Sequence, residues 1–409
     1  MFRLFVSFFV IFSINCGAAK LKLDIKSSGQ NKKSYFSIIT TFSELESLVF
    51  KKLLSSGRFK KTPAPSSISG AKSLGLDLLL ILKKKKDVFE VKVIDVMQGK
   101  EIKFNVSDEG TLNQVANALC DKVYSLWFKE PGIFSSSILY AKEIGKNLFR
   151  FAETSIDGSL SKVLSPPISY LTTFSVWNGK ILFTKFSSKS RGFAVFTYDV
   201  QKNEFIRLVS IKNASVFAPV ISAGEAFVSV AYKGTTSIYS LSLAKKTNFK
   251  SFDEFEKFNG VTKVTGRKGR IATSPSIYKD NFVFCANYLW RAKIFKLPNE
   301  KIVSSDAAYY DPVLFKNQKI GMVKVNKGLF TLSILDLASS LETDLDSNYF
   351  VSKPSWSDCG NWVVASSRAI GKRNVLNIYH VASGFKSKIE INHPARLPVW
   401  INSSIVREV

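Results

Sequence analysis

Residue types that commonly carry catalysis are scarce in this chain of 409 residues, which has only two histidines, His380 and His393. His380 falls at the end of a predicted strand, where comparable segments carry Asp or Lys, and we interpret it as a turn residue. His393 lies in the loop before the last predicted strand. The sequence has no Gly-x-Ser-x-Gly turn of the kind that presents a hydrolase serine, and no glycine-rich phosphate loop or His-x-x-x-His pair. These observations predict a protein that is not an enzyme and holds no cofactor or metal ion.

The cysteines also argue against a metal site. They are Cys16, Cys120, Cys285 and Cys359, and no pair has the spacing of metal ligands. Cys16 falls within a predicted targeting segment, so three remain in the mature chain, at unrelated places. We expect each of these three to be a small buried hydrophobic residue rather than part of a disulfide framework.

Residues 1–19 have the pattern of a signal peptide. Arg3 supplies the positive charge, Leu4–Ile14 is apolar apart from serine, and Gly17-Ala18-Ala19 offers small residues for cleavage. The apolar run is too short to span a bilayer, and no other stretch is long and apolar enough. We therefore expect a periplasmic protein that does not span the membrane. In an alternative interpretation, Cys16 is a lipid-modified N-terminus.

Residues 20–130 predict a small α/β domain. Strands are expected at 21–25, 35–40, 77–82, 88–96 and 101–106. Ser43-Glu44-Leu45-Glu46 and Thr111-Leu112-Asn113-Gln114 are capping boxes that each open a helix with apolar residues at helical spacing. A sheet covered by two helices is the expected architecture. Residues 131–137 form the predicted linker.

Residues 138–409 contain a degenerate repeat of a proline, a polar turn and an apolar strand. Five copies begin at a proline and one at Thr173; the prolines are Pro219, Pro275, Pro312, Pro354 and Pro398. Periods of about 40–45 residues with four strands each are typical of a β-propeller, in this chain with six blades. The alternative is an open β-sandwich of loosely similar strands.

The last repeat predicts how the propeller closes. Pro398-Val399-Trp400-Ile401 opens a blade, but only eight residues follow. The strand Ile138–Ala141 has no such opening of its own. We expect the C-terminal strand to pair with strands from 138–165 and to close the ring, which leaves no free sheet edge. A once-only Asp358-Cys359-Gly360 is similar to the Asp-box of sialidase propellers, but its neighbours are out of register and we interpret it as a turn.

The chain is strongly basic, with a formal net charge of +26 and a pI of about 9.8. Lys83–Lys86 is interpreted as a solvated turn. Arg267, Lys268 and Arg270 lie in a charged loop, Lys245–Thr273, which is expected to be inserted between blades, and they are candidate partner-binding residues. Nucleic acid is not an expected partner, because the chain is expected to be exported and its aromatic residues do not interleave with the basic runs. Anionic envelope polymers, lipid head groups or acidic protein surfaces fit the charge better.

Several short segments resemble the TolB family of the Tol–Pal system in Gram-negative envelopes. In the N-terminal domain they are Leu54-Ser55-Ser56-Gly57-Arg58-Phe59, Leu74-Gly75-Leu76-Asp77 and Val93-Ile94-Asp95. In the propeller they are Tyr198-Asp199-Val200, Leu335-Asp336-Leu337, Pro354–Gly360 and Arg396-Leu397-Pro398-Val399-Trp400. In architecture the resemblance covers nearly the whole mature chain, but few residues match, and the other blades have lost the family's Pro-x-Trp-Ser-x-Asp-Gly signature.

The resemblance implies a non-enzymatic, monomeric protein that supports outer-membrane integrity and cell division. In the family, the segment after the signal peptide binds TolA and the propeller binds the peptidoglycan-associated lipoprotein Pal. By position, the first segment is Lys20-Leu21-Lys22-Leu23-Asp24-Ile25; it could equally be the edge strand of its own domain. The alternative functions are an exported propeller hydrolase, with two or more carboxylates converging in the central channel, or a propeller that binds anionic envelope polymers.

Overall fold

The computed structural model describes residues 33–65, 68–245, 247–265, 271–279, 281–305, 307–316 and 318–402. The chain divides into two compact units. The first contains Met1–Val123 together with His380–Lys386, and the second contains Tyr124–Tyr379 and Ser387–Val409. The predicted signal peptide, residues 1–19, lies outside the described residues. The predicted domain limits, 20–130 and 138–409 with the linker 131–137, stay predictions.

The first unit is built on a five-stranded sheet with helices. Its strands are β1 (Ser34–Ile39), β2 (Phe59–Lys61), β3 (Leu78–Lys85), β4 (Val88–Asp95) and β5 (Glu101–Ser107). The helices are α1 (Ser43–Ser55), α2 (Ile68–Ser73) and α3 (Leu112–Phe128). The strand order is β2-β1-β3-β4-β5, with β1 parallel to both of its neighbours. The predicted α/β class of this part is confirmed.

Helix capping in the first unit agrees with the sequence at one of the two predicted boxes. At α3, Thr111 N–H donates to Gln114 Oε1 at 2.7 Å, and Gln114 N–H donates to Thr111 Oγ1 at 3.3 Å. At α1 the predicted box is wrong, because the helix is preceded by Phe42, whose side chain makes no capping hydrogen bond. The apolar face of α1, including Val49, is buried, so packing rather than a cap holds this helix.

The second unit consists almost entirely of strands, which fall into three consecutive groups along the chain. The first group is β6 (Ser137–Gly145), β7 (Leu148–Ser155), β8 (Ser161–Val163), β9 (Ile168–Ser169), β10 (Thr173–Trp177), β11 (Lys180–Ser187), β12 (Gly192–Asp199) and β13 (Glu204–Ile211). The second group is β14 (Ser215–Ser222), β15 (Glu225–Tyr232), β16 (Thr235–Ser242), β17 (Asn248–Phe249), helix α4 (Phe252–Glu256), β18 (Val261–Lys263), β19 (Ala272–Tyr278), β20 (Asn281–Tyr288), β21 (Arg291–Lys296) and β22 (Lys301–Ile302). The third group is β23 (Ala308–Phe315), β24 (Lys319–Asn326), β25 (Leu329–Asp336), β26 (Glu342–Asn348), β27 (Phe350–Val351), β28 (Ser355–Trp356), β29 (Trp362–Arg368), β30 (Val375–His380), β31 (Lys386–Lys388) and β32 (Ala395–Ile401).

These strands form six sheets, the blades of a propeller, and at the edge of blade 1 the added strand β17 runs parallel to β13. Blades 1 to 5 begin with β10, β14, β19, β23 and β27, and blade 6 has the order β32-β6-β7-β8. In blade 6, Trp400 pairs with Ile138 and Ile401 with Ser137. The predicted six-bladed propeller, closed by the C-terminal strand, is therefore confirmed. Within each blade we call the strands A to D, counting outward from the innermost.

Two sequence interpretations of the propeller need correction. Pro219, Pro275, Pro312 and Pro398 do not open the A strands but lie within them. The segment Lys245–Thr273 is not merely a charged loop between blades. Its strand β17 pairs with β13 of blade 1, and its strand β18 is the D strand of blade 2. Buried phenylalanines anchor the insertion, so its hydrophobic positions outweigh its charges.

Candidate functional site: the central channel

The partner-binding candidates named from the sequence cannot be placed. Lys20–Ile25 and Arg267, Lys268 and Arg270 all lie outside the described residues. The chain is described again from Ile271, whose N–H donates to Asn287 Oδ1 at 2.5 Å and whose carbonyl accepts from Asn287 N–H at 3.1 Å. The structure instead points to the centre of the propeller, where the A strands of all blades converge.

A cavity of about 230 Å³ lies among the A strands. All six blades contribute lining residues, which are Thr173–Trp177, Leu182, Ala218–Ile221, Ser276, Val313, Lys353–Ser355 and Leu397–Val399. Among these described residues, Lys353 is the one with a charged side chain. The lining is otherwise apolar or weakly polar, with Phe174 and Trp177 as aromatic members. The arrangement offers an apolar receptor with a single cation rather than the paired carboxylates of a glycoside hydrolase.

The prolines shape this lining through β-bulges. The pairing register with strand B shifts across Pro219, Pro275, Pro312 and Pro398, and Pro354 lies in the break between β27 and β28. Since proline has no N–H to donate, it is tolerated in a sheet at a bulge or an edge. At each of the four prolines with a register shift, the preceding residue has positive φ. These residues are Ala218 (49°), Ser274 (52°), Asp311 (48°) and Leu397 (53°). This left-handed conformation is strained for residues other than glycine, so the bulges are imposed by the surrounding ring.

Adjacent A strands are joined by a hydrogen bond that occurs at equivalent positions in two pairs of blades. Ser276 Oγ accepts from Leu314 N–H at 2.9 Å, and Ser355 Oγ accepts from Trp400 N–H at 2.9 Å. In each case the serine directly follows a proline, and the donor is the second residue after the proline of the next blade. Because the same bond recurs at equivalent positions, these A strands run in the same direction and lie at the same height along the channel. Trp356 Nε1 adds a bond to Val313 O at 3.0 Å.

Lys353 places a charged group in a lining that is otherwise uncharged and largely apolar. Burial lowers the pKa of its ammonium group, and the negative charge of Asp311 acts in the opposite direction. Asp311 itself accepts a hydrogen bond from Ser274 Oγ at 2.9 Å. A desolvated ammonium group in an apolar receptor is a strong donor for a carbonyl or carboxylate of an incoming partner. The sequence analysis missed Lys353; its position immediately before an A-strand proline was the available signal.

The two histidines have structural partners. His380 is the last residue of β30, as predicted for a turn residue, and its Nδ1 lies 2.7 Å from Ser383 Oγ. His393 Nε2 lies 2.8 Å from Tyr140 Oη, and the two rings stack with centroids 5.6 Å apart. Burial, together with Lys142 and Arg373, lowers the pKa of His393. The arrangement disfavours the charged form of His393, and the hydrogen bond to Tyr140 holds the loop before β32.

The remaining sequence-predicted features are turns and buried thiols. Asp358-Cys359-Gly360 is a turn, as interpreted, closed by Gly360 N–H donating to Ser357 O at 2.9 Å. Cys120 and Cys285 are buried, and burial is the main cause that raises the pKa of Cys285 to about 12. Cys359 is only partly buried. No helix among the described residues is long and apolar enough to cross a membrane.

Comparison with solved structures identifies the architecture. The crystal structure of TolB from Acinetobacter baumannii superposes with a TM-score of 0.73 at 19% sequence identity, covering 90% of this chain and 97% of that one. The chain has the TolB fold. The resemblance to TolB seen in short sequence segments is thus confirmed as a likeness of fold, at an identity that fits a divergent member.

Two further solved structures are similar to about two thirds of this chain. A putative TolB from Agrobacterium tumefaciens has a TM-score of 0.45 and 11% identity, over 64% of this chain and 90% of that one. Hydrazine synthase from Kuenenia stuttgartiensis has a TM-score of 0.48 and 11% identity, over 65% and 46%. No protein-family model matches the sequence, and no curated protein matches it.

Proposed function

We propose that this protein is a periplasmic, non-enzymatic binding component of a Tol–Pal-like envelope complex. The observation that carries the proposal is the TolB fold, which spans nearly the full length of both chains. The partners would be a Pal-like peptidoglycan-associated lipoprotein on the propeller and a TolA-like inner-membrane protein at Lys20–Ile25. Such a link between the two membranes would support outer-membrane integrity and cell division.

The channel supports the propeller half of this proposal. A partner loop that enters the cavity would bury apolar surface against Pro219, Pro354 and Pro398, and it would offer a carbonyl or carboxylate to Lys353. Apolar contact around one desolvated charge is the usual composition of a binding hot spot. The rigid, hydrogen-bonded A strands would lower the entropic cost of docking.

The test uses the purified mature chain with a purified Pal-like lipoprotein and, separately, a TolA-like domain. Deletion of Lys20–Ile25 is expected to abolish TolA-like binding and to leave Pal-like binding intact. Lys353→Ala is expected to weaken Pal-like binding by about ten-fold, which is the scale of a charged hydrogen bond. Lys202→Ala, on an exposed turn, is the matched control. If the unaltered chain captures neither partner at low and moderate salt, the proposed function is wrong.

A further inference from the structure

One face of the propeller is defined by the B–C turns. Neighbouring strands of a blade are antiparallel, so the turn between strands B and C lies at the same edge as the connection from strand D to the next A strand. With the A strands aligned around the channel, this edge falls on one face in every blade. The B–C turns are 188–191, 233–234, 289–290, 327–328, 369–374 and 146–147 in blades 1 to 6. We call the surface made by these turns the B–C face.

The charge of the B–C turns has one sign, although Glu390, paired with Lys388, lies at the same edge in the connection from blade 5 to blade 6. Five of the six B–C turns carry Lys or Arg and none carries Asp or Glu. The basic residues, all exposed, are Lys146, Lys189, Arg191, Lys233, Lys327, Lys372 and Arg373. Turns at the opposite edge mix signs, with Lys202, Lys279 and Lys316 beside Asp157, Glu300 and Asp358. A lysine-rich composition alone would not separate the two edges in this way.

The remaining B–C turn, in blade 3, is apolar. Leu289 is 72% exposed and Trp290 is fully exposed. All six tryptophans of the chain lie among the described residues, and the others are buried or partly buried. Both turn residues have positive φ, 44° and 71°, a type I′ geometry that normally selects Asn-Gly. Leu289 and Trp290 therefore contribute little to the stability of the folded protein. Ile370, 78% exposed on the blade 5 turn, is a second apolar tip.

A polar cleft opens on the same face between blades 1 and 2. Its volume is about 290 Å³, and its rim includes Arg191, Asn213 and Thr235. Lys233 also lines it, with Nζ 5.2 Å from the Tyr232 ring. Two exposed cations beside amide and hydroxyl groups suit a phosphate group.

We propose that the B–C face docks on the surface of a bilayer that contains anionic phospholipid. Leu289 and Trp290 insert at the headgroup level, where tryptophan is favoured. The ring of lysines and arginines is attracted to the anionic surface, and the cleft between Arg191 and Lys233 receives a lipid phosphate. Stable peripheral attachment requires more than one weak signal, and an apolar tip with a basic surface supplies two. A convex, isolated apolar tip fits a fluid interface better than a preformed protein pocket.

The experiment is flotation of the full mature chain with vesicles of phosphatidylcholine, with and without phosphatidylglycerol. Binding is expected only with the anionic lipid.

Two double variants and two controls test the residues. Arg191→Gln with Lys233→Gln should weaken vesicle binding roughly 30-fold, since each basic residue near the surface contributes about 1 kcal/mol. Leu289→Ser with Trp290→Ser should weaken it by at least about ten-fold, the scale of burying one large apolar side chain. Leu341→Ser, 64% exposed on a C–D turn, is the apolar control, and Lys279→Gln with Lys316→Gln is the charge control; both should leave binding nearly unchanged.

A spectroscopic measurement separates lipid insertion from other binding. Vesicles should shift Trp290 emission to the blue and brominated lipids should quench it, and Trp290→Phe should remove both signals. The proposal is overturned if anionic vesicles do not bind, or if the control variants lose as much binding. It is equally overturned if a soluble polyanion or an acidic protein binds through these residues while vesicles do not. The proposal does not rest on the Tol–Pal function, because it requires neither protein partner.

Discussion

Ser355 Oγ and the backbone N–H of Trp400 are hydrogen bonded at 2.9 Å across the joint between blades 5 and 6. This joint is the one at which the C-terminal strand enters the ring. Ser276 and Leu314 make the equivalent bond between blades 3 and 4. Both bonds satisfy a backbone donor beside a proline bulge, where the regular pairing of the strand is interrupted.

Ser355→Ala should destabilise the propeller. The substitution removes the acceptor for the Trp400 N–H, and leaving a buried donor unsatisfied costs about 1–3 kcal/mol. Urea unfolding followed by tryptophan fluorescence measures the change. Ser276→Ala should cost a similar amount, whereas Ser188→Ala on an exposed turn should cost little. Equal stability of all three variants would contradict a structural role for these inter-blade bonds.

Truncation before Ala395 should prevent formation of a stable propeller. The truncated chain lacks the A strand of blade 6, so β6 is left as an exposed edge and the ring stays open. We expect aggregation or rapid proteolysis of the remaining chain. A chain that ends at Asn402 retains all of β32 and should be as soluble as the full chain. Full solubility and protease resistance of the shorter chain would show that ring closure contributes little.

Stability should fall as the pH drops because of His393. The folded state lowers the pKa of His393 through burial and the charges of Lys142 and Arg373. The unfolded chain, with a pKa of about 6.5, binds the proton more readily. The contribution of His393 is therefore fully present above that pH and is lost as the pH falls through the folded-state value. Melting temperatures between about pH 7.5 and 5 should decline less steeply in His393→Gln. An unchanged slope would assign the decline to other groups.

Leu289→Asn with Trp290→Gly should stabilise the protein. Both residues occupy the left-handed conformation that Asn and Gly adopt readily, and relieving it is worth about 1–2 kcal/mol per residue in the favourable limit. Urea unfolding should therefore show a higher midpoint, while binding to anionic vesicles weakens by at least about ten-fold. Val88, a partly exposed strand residue outside the turn, gives a matched control when replaced by Thr. A lower midpoint in the turn variant would mean that Leu289 and Trp290 serve folding after all.

Replacement of Arg267, Lys268 and Arg270 by Ala is a prediction from the sequence, because these residues lie outside the described part of the chain. We expect weaker partner binding and little change in melting temperature, since exposed charges contribute little to stability. Affinity for the Pal-like lipoprotein and calorimetry test the two halves separately. Unchanged affinity would remove this loop from the binding surface.

The fold could be predicted from the sequence where the local residue pattern alone determines the structure. The ring closure at Pro398–Ile401 is predictable because a blade opening with too few residues after it needs strands from elsewhere. The capping box at Thr111 is correct, whereas the similar pattern at Ser43 is not, because packing of the apolar face positions α1. The repeated prolines are visible in the sequence, but their places within the A strands are not. Their bulges depend on tertiary contacts between blades, which a single strand pattern does not contain.

The candidate surfaces were less predictable than the fold. Tyr288-Leu289-Trp290 consists of aromatic and aliphatic residues, and its two aromatics are of the type enriched in strands. Only a two-residue turn without glycine exposes Leu289 and Trp290, and no local turn signal announces it. Lys353 is marked in the sequence only by its position before the repeat proline Pro354, and this position does not reveal its burial. Its desolvation follows from the convergence of six A strands, which are distant from one another in the sequence.

The pairing of Trp400 with Ile138 constrains when this molecule can mature. During synthesis, β6 emerges long before β32, so blade 6 stays incomplete while the other five are made. The ring can therefore close only after nearly the whole chain has been made. Until then the free edge of β6 is open to pairing with strands of other molecules.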